Sequence, residues 1–398
     1  MEKPAIVGGK PAREEYLIFG KPDIGKEEID GVIKVLKSGW LSTGPKVKEL
    51  EEEFAKYIGC KHAIALNSCT SALHLSLLCS GVLPGDEVIV PSMTFAATVN
   101  VIEHVGAIPV FADIQEDTYN IDPSKITELI TKKTKAIIPV HFGGLPCDID
   151  EINSIADEHN LVVIEDAAHA VGAEYKSNKI GSGPNIAAFS FYATKNMTSG
   201  EGGMLTTNDD ELSEKIRIYS LHGLSKHAWE RFSKGGKKTY EVICPGYKYN
   251  MQDLNAAIAL CQLKKLDLFN SIRAKYAQIY LKEFEEESDF IHLPPGSTNT
   301  KKSSWHLFPI LLKLEKLSIS KEMFITALEK ENIGTGVHYH AIHLQPYYQK
   351  KYKIRKPLNR TCYVSERTVS LPLQTSMSED DVYTVIDAVK KILHYYKK

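Results

Sequence analysis

The chain has 398 residues, 43% of them hydrophobic and 25% charged, a balance that suits a globular protein of about two to three domains. Its formal net charge of −2 gives no electrostatic reason to bind nucleic acid or an anionic membrane, and no apolar run approaches the roughly 20 residues that span a bilayer. Charges at Glu2, Lys3, Arg13, Glu14 and Glu15 with no apolar stretch between them read against a signal peptide, and seven scattered cysteines without a CxxC pair read against a disulfide framework or zinc site, which together point to a reducing cytoplasm.

After an N-terminal segment (residues 1–26), short apolar runs alternate with helical patterns. His62–Leu66, Glu87–Pro91, Ile108–Ala112, Ala136–Val140 and Leu161–Glu165 are predicted strands. Ser71–Cys79, Phe95–His104, Pro123–Ile130 and Asp148–His159 are predicted helices. The runs Val88-Ile89-Val90 and Val162-Val163-Ile164 are continuously apolar, as in strands buried on both faces. This βαβ repetition predicts an α/β fold with a mainly parallel sheet, in a large domain over residues 27–268. Beyond Phe269 the texture changes to a charged helical stretch up to Glu287, a Pro294-Pro295-Gly296-Ser297 turn, a strand-like Trp305–Leu312 and helices at Lys321–Asn332 and Glu379–Tyr395. These predict a smaller α+β domain over residues 269–398, with Asn255–Leu268 as a linking helix.

Three features fall where ligands sit in open α/β sheets, beyond the carboxyl ends of strands. Asn67-Ser68-Cys69-Thr70-Ser71 lies between a strand and a helix. It reads either as an ordinary N-cap or as a phosphate cradle of free N–H groups at the positive end of a helix. Asp166 follows a buried strand and reads either as a cap for the next turn or as the partner of a protonated pyridine nitrogen, which keeps the ring electron-accepting. Lys195 closes the aromatic run Phe189-Ser190-Phe191-Tyr192-Ala193-Thr194 just ahead of Gly200-Glu201-Gly202-Gly203. Partial desolvation there would favour the neutral, nucleophilic amine. Singly, each has a bland reading; together they describe a pyridoxal-phosphate site.

Those residues, with Ser38–Pro45, Pro84–Val88, Glu165–His169, Pro245–Asn250 and Gly334–Tyr339, give the chain a resemblance over nearly its whole length to the DegT/StrS family of nucleotide-sugar aminotransferases. These are fold-type I pyridoxal-phosphate enzymes, aspartate-aminotransferase-like in fold. The resemblance is nearest to the branch that aminates C4 of a UDP-linked 4-keto sugar, the 4-amino-4-deoxyarabinose type. It implies Lys195 as the Schiff-base lysine and Asp166 as the pyridine partner. His169 stands where the cofactor's phenolic oxygen is contacted, Cys69, Thr70 and Ser190 where its phosphate is bound, and Phe95 where an aromatic ring stacks on it. Cys69 replaces the usual Gly or Ala, which a backbone N–H contact tolerates. Lys248, or second Asn250, is implied to reach the phosphate of a neighbouring subunit in a homodimer with shared active sites, His338 and Tyr339 to lie near substrate, and glutamate to be the amino donor.

Other readings of the same residues stay open. His338, His340 and His343 form H-x-H-x-x-H, a possible metal triplet, but no acidic or Cys ligand accompanies it. His141 sits at the ligand edge and reads as structural. A C3 aminotransferase on a dTDP-keto sugar and a non-catalytic regulatory relative remain alternatives. A related sugar dehydratase would carry His in place of Lys195. A basic loop with Lys226, Arg231, Lys234, Lys237 and Lys238 could be solvated or could reach a neighbouring subunit.

Overall fold

The computed structural model describes residues 2–225 and 239–398. The basic residues Lys226, Arg231, Lys234, Lys237 and Lys238 lie outside the described part. Its strands, in chain order, are β1 His62–Leu66, β2 Glu87–Pro91, β3 Ile108–Ala112, β4 Thr134–Ile137, β5 Val162–Asp166, β6 Glu174–Tyr175, β7 Asn178–Lys179, β8 Ile186–Ser190, β9 Gly203–Thr207, β10 Ile291–His292, β11 Lys301–Lys302, β12 Phe308–Leu312 and β13 Thr368–Leu371. The central sheet has seven strands in the order β1-β9-β8-β5-β4-β2-β3. The five from β8 to β3 are parallel, while β9 runs antiparallel to both β8 and β1. The fold is thus α/β with a mostly parallel sheet, as the alternating pattern predicts. A three-stranded antiparallel sheet, β10-β12-β13, forms a second layer system in the C-terminal part.

Predicted and observed strands coincide at β1, β2 and β3. β4 stops at Ile137 rather than Val140, because Pro139 has no N–H for the ladder. Beyond it the Pro139 carbonyl still accepts from the Asp166 N–H. Two helices, Lys26–Ser38 and Pro45–Ile58, occupy a region where the sequence reading assigns none. The second is started by Pro45 at its first turn. It buries Leu50 and Phe54 against the sheet, with the Phe54 ring edge-on to Phe189 at 5.3 Å and to Phe191 at 5.6 Å. Those two aromatic residues lead into Lys195, so this helix anchors the segment that carries it.

The predicted link over Asn255–Leu268 and the charged stretch after it are one helix, Asp253–Glu283, of 31 residues. Its first half buries Ala256, Ala259, Leu260, Leu263 and Leu266 in the cluster beneath the large sheet. Its second half buries Tyr276, Ala277 and Tyr280 in the C-terminal cluster. The N-terminal segment crosses to that second cluster: Leu17 pairs with Ile333, the N–H groups of Gly20 and Lys21 both donate to Gln374 Oε1, and the Phe19 ring lies 5.7 Å from His338. Among the described residues no helix is long and apolar enough to cross a membrane.

β9 begins directly beside the turn that follows β1. A Cβ on Gly203 would lie 2.4 Å from both the Ser68 carbonyl carbon and the Cys69 nitrogen, far inside contact distance. Gly203→Ala is therefore expected to force the two backbones apart. It should destabilise the cofactor-free protein by about 1–3 kcal/mol in urea unfolding, the usual cost of overpacking, and weaken cofactor binding in parallel. An unchanged unfolding midpoint would contradict this close approach.

Candidate active site

The carboxyl ends of β1, β2, β5 and β8 converge on a pocket of about 560 Å³. Its wall is formed by Ser68, Cys69 and Thr70 after β1, by Thr94, Phe95 and Thr98 after β2, by Asp166 and His169 at and after β5, and by Ser190 and Lys195 at and after β8. His306, Val337, His338 and Tyr339 close it from the C-terminal part.

At the β1 end, Ser68 caps the helix Cys69–Cys79 by accepting from the Ser71 N–H at 3.1 Å. The remaining N–H groups of a first helical turn have no partner within the helix. The capping and cradle readings are thus both compatible with one geometry. The buried Asp166 receives the Thr98 hydroxyl at 2.7 Å on one oxygen and the Ala168 N–H at 3.1 Å on the other. Burial pushes its carboxyl above the usual range, opposed by those two donors and by the charge of Lys195. Burial in turn pushes the Lys195 amine down to about 8, opposed chiefly by the negative charge of Asp166. Each group limits how far the other can lose its charge.

His169 accepts the Gly143 N–H on Nδ1 at 3.2 Å, so the neutral ring carries its proton on Nε2, 2.9 Å from the Tyr339 hydroxyl. Burial holds His169 well below the ordinary histidine value and raises the Tyr339 phenol. Ser190 is buried in the floor, while Phe95 is largely exposed at the rim. His338 Nδ1 meets the Ser370 hydroxyl at 2.9 Å and is pushed down to about 4 by burial and by Lys195.

Lys248 and Asn250 do not join this pocket within the chain. They line a separate hollow of about 220 Å³ with Ser42, Asn67 and Gln252, divided from the first by Glu201, which faces both. Asn250 donates to Thr43 Oγ1, and its own Oδ1 is buried without a partner among the described residues. The H-x-H-x-x-H histidines have different partners: His343 is held between the Ser92 hydroxyl at 2.7 Å and Cys362 Sγ at 3.4 Å, whereas His338 meets Ser370, and among the described residues no group of three or more His, Cys, Asp or Glu is placed to hold a metal ion. His141 binds Glu165 at 2.8 Å and the Cys147 N–H at 3.1 Å inside the wall. Thr98 and His306 were missed by the sequence reading. The signal for His306 is a polar residue inside the apolar run Trp305–Leu312.

This residue set fits pyridoxal phosphate: an amine for its aldehyde, a carboxylate for its ring nitrogen, and a helix N-terminus for its phosphate, all in one cavity. A family model, the DegT/DnrJ/EryC1/StrS aminotransferase family, matches residues 22–390. The spore coat polysaccharide biosynthesis protein SpsC of Bacillus subtilis is 51% identical over 384 residues, covering 96% of this chain and 98% of SpsC. The sugar aminotransferase Spr1654 of Streptococcus pneumoniae, described as putative and solved in a PLP form and a PMP form, superposes with a TM-score of 0.88. Its identity is 33–34%, over 96% of this chain and 98–99% of that one. DesI, solved in the presence of its TDP-sugar product, superposes with a TM-score of 0.86 at 30% identity, over 98% of this chain and 96% of that one. The chain belongs to the DegT/DnrJ/EryC1/StrS aminotransferase family. It is a pyridoxal-phosphate-dependent sugar aminotransferase.

The neutral fraction of Lys195 grows as pH rises through about 8, more than two units below an ordinary lysine. Labelling of the cofactor-free protein with an amine-reactive reagent, followed by peptide mass spectrometry, is expected to give a titration for Lys195 with its midpoint near that value. A midpoint near 10.5, the ordinary value, would rule out the desolvated environment.

Proposed function

We propose that the protein moves an amino group from glutamate to C4 of a UDP-linked 4-keto sugar in the cytoplasm, for a cell-surface polysaccharide or lipid A sugar. The observation that carries the catalytic part is the presence of Lys195, Asp166 and the helix N-terminus at Ser68–Thr70 around one pocket. The bound cofactor supplies an electron sink for the substrate carbon. Asp166 keeps the ring nitrogen protonated. Cys69, Thr70 and Ser190 hold the phosphate, Phe95 covers the ring and His169 meets its phenolic oxygen. Lys195 would hold the cofactor through its amine and, with that amine free, would move a proton at the reacting carbon as general acid and base. His338 and Tyr339 face the sugar. The polysaccharide role draws on SpsC, and the C4, UDP preference on the segments Gly334–Tyr339 and Gly246–Asn250. The TDP-sugar product in the DesI structure favours a second reading, amination of a dTDP-keto sugar.

A panel of UDP-, GDP- and dTDP-linked 3- and 4-keto sugars with glutamate separates these readings. Turnover of UDP-4-keto sugars to 4-amino products is expected; 3-amino products alone would overturn the C4 assignment, and turnover of dTDP-sugars alone would replace the proposal by the second reading. Asp166→Asn is the internal control. It should bind cofactor yet lose most of the first half-reaction with glutamate in stopped flow, and a wild-type rate there would remove Asp166 from its role.

The same proposal includes a homodimer with shared sites. The outward face of Lys26–Ser38 exposes Ile29, Ile33 and Leu36, with Trp40 and Leu41 just beyond, and Lys248 and Asn250 lie apart from the pocket of their own chain. A cation from a second copy would meet the cofactor phosphate or the sugar diphosphate. Lys195→Ala and Lys248→Ala proteins, each nearly inactive, are expected to regain activity when unfolded and refolded together, since mixed dimers then hold one intact site. A mixture as inactive as its parents, with Lys248→Ala inactive alone, would mean each chain builds its own site. Should Lys248→Ala prove active, Asn250→Ala takes its place and Lys248 loses the role.

A further inference from the structure

His306 is absent from every role assigned above, yet its Nε2 lies 3.4 Å from Lys195 Nζ. Its other nitrogen, Nδ1, lies 3.1 Å from Asn196 Oδ1. Which nitrogen carries the proton follows from a chain of contacts that ends on backbone carbonyls. Asn270 Nδ2 donates to the Val171 carbonyl at 3.1 Å, so Asn270 Oδ1 is an acceptor. Asn196 Nδ2 donates to that oxygen at 2.8 Å and to the Ser304 carbonyl at 2.7 Å. A carbonyl cannot donate, so the Asn196 amide cannot be flipped, and its Oδ1 must accept from His306. The neutral ring is therefore protonated on Nδ1 and bare on Nε2, the atom that faces the lysine.

The ring is also kept neutral. It is buried against His169, with ring centroids 4.4 Å apart. Burial, together with the positive charges of Lys195 and Arg273, holds it well below the ordinary histidine value. It cannot compete with Lys195 for a proton. Toward the lysine it can only accept a hydrogen bond.

We propose that His306 is a positioning residue for Lys195: fixed as the Nδ1–H tautomer through Asn196 and Asn270, it presents a bare Nε2 that receives the lysine amine whenever that amine is free. The proposal rests on the reading of Lys195 as the lysine that carries the cofactor. A lysine displaced from the cofactor would otherwise be free to swing on its four-carbon stem. Docked on His306 it stays at the pocket wall, beside Asp166 and Cys69, with its proton held for return. A neutral acceptor favours the ammonium over the amine, so His306 works with the charge of Asp166 against burial. Tyr192, Glu201, Tyr339, His169 and His338 are the other titratable groups facing the same space.

The test uses the pH-dependent labelling of Lys195 in cofactor-free protein. His306→Leu keeps bulk and removes the acceptor; His306→Gln restores an oxygen near Nε2. The Lys195 midpoint is expected to fall by about one pH unit in His306→Leu, the size of one hydrogen bond to a charged group, and to return to within a few tenths of wild type in His306→Gln. An unchanged midpoint in folded His306→Leu overturns the proposal. An equal fall in both variants reduces His306 to a space-filling group and overturns it too. Should His306→Leu not fold, nitrogen NMR of histidine-labelled wild-type protein, assigned by the loss of one signal in His306→Gln, reads the tautomer directly. Protonation on Nδ1 supports the assignment, and protonation on Nε2 refutes it. Borohydride reduction of the cofactor-loaded wild type separates this from the functional reading: a cofactor fixed to a lysine other than Lys195 removes that reading and with it the role of His306, whatever the tautomer.

Discussion

Two opposite charges, drawn out of water at the ends of adjacent strands, organise this molecule. Asp166 ends β5 and Lys195 follows the neighbouring β8. Neither is comfortable alone: burial raises the carboxyl of one and lowers the amine of the other, and each opposes the shift of its partner. Isolated charges in such a setting would neutralise. The surrounding architecture opposes that, with the Thr98 hydroxyl and the Ala168 N–H on the carboxylate. Behind the lysine, the buried rings of Phe54, Phe189 and Phe191 fix the backbone that delivers it.

The parallel part of the sheet was legible because burial on both faces leaves its mark in the residues themselves: β2 and β5 have no polar alternation to confuse the period. The antiparallel insertion of β9 was not, since Gly203–Thr207 carries no sign of direction and its neighbours β1 and β8 are far apart in the chain. The helix Pro45–Ile58 follows a glycine- and serine-rich stretch that reads as loop. The helix Asp253–Glu283 was divided at Phe269 because its apolar stripe changes composition there, from small aliphatic residues to tyrosines, when it passes from one core to the other.

The site divides along the same line. Cys69, Thr70, Asp166 and Lys195 could be nominated from the residues beside recognisable strand ends, His169 and Ser190 from the resemblance, and the fold brings all six to one cavity. Thr98 and His306 could not. Thr98 gains its meaning only from the Asp166 oxygen it donates to, and His306 only from a lysine 111 positions away. Lys248 and Asn250 were nominated by resemblance and lie outside the cavity of their own chain, so their roles depend on a surface that a single sequence does not describe.

The 31-residue helix Asp253–Glu283 has a mechanical meaning beyond joining two cores. At about 1.5 Å per residue it is a shaft of roughly 46 Å. It contains neither glycine nor proline, the usual causes of a kink. Its two ends are gripped by different hydrophobic clusters, so it transmits torque instead of absorbing it. The stretches that bring His306 and Tyr339 to the pocket wall, by contrast, lie outside regular helix and strand.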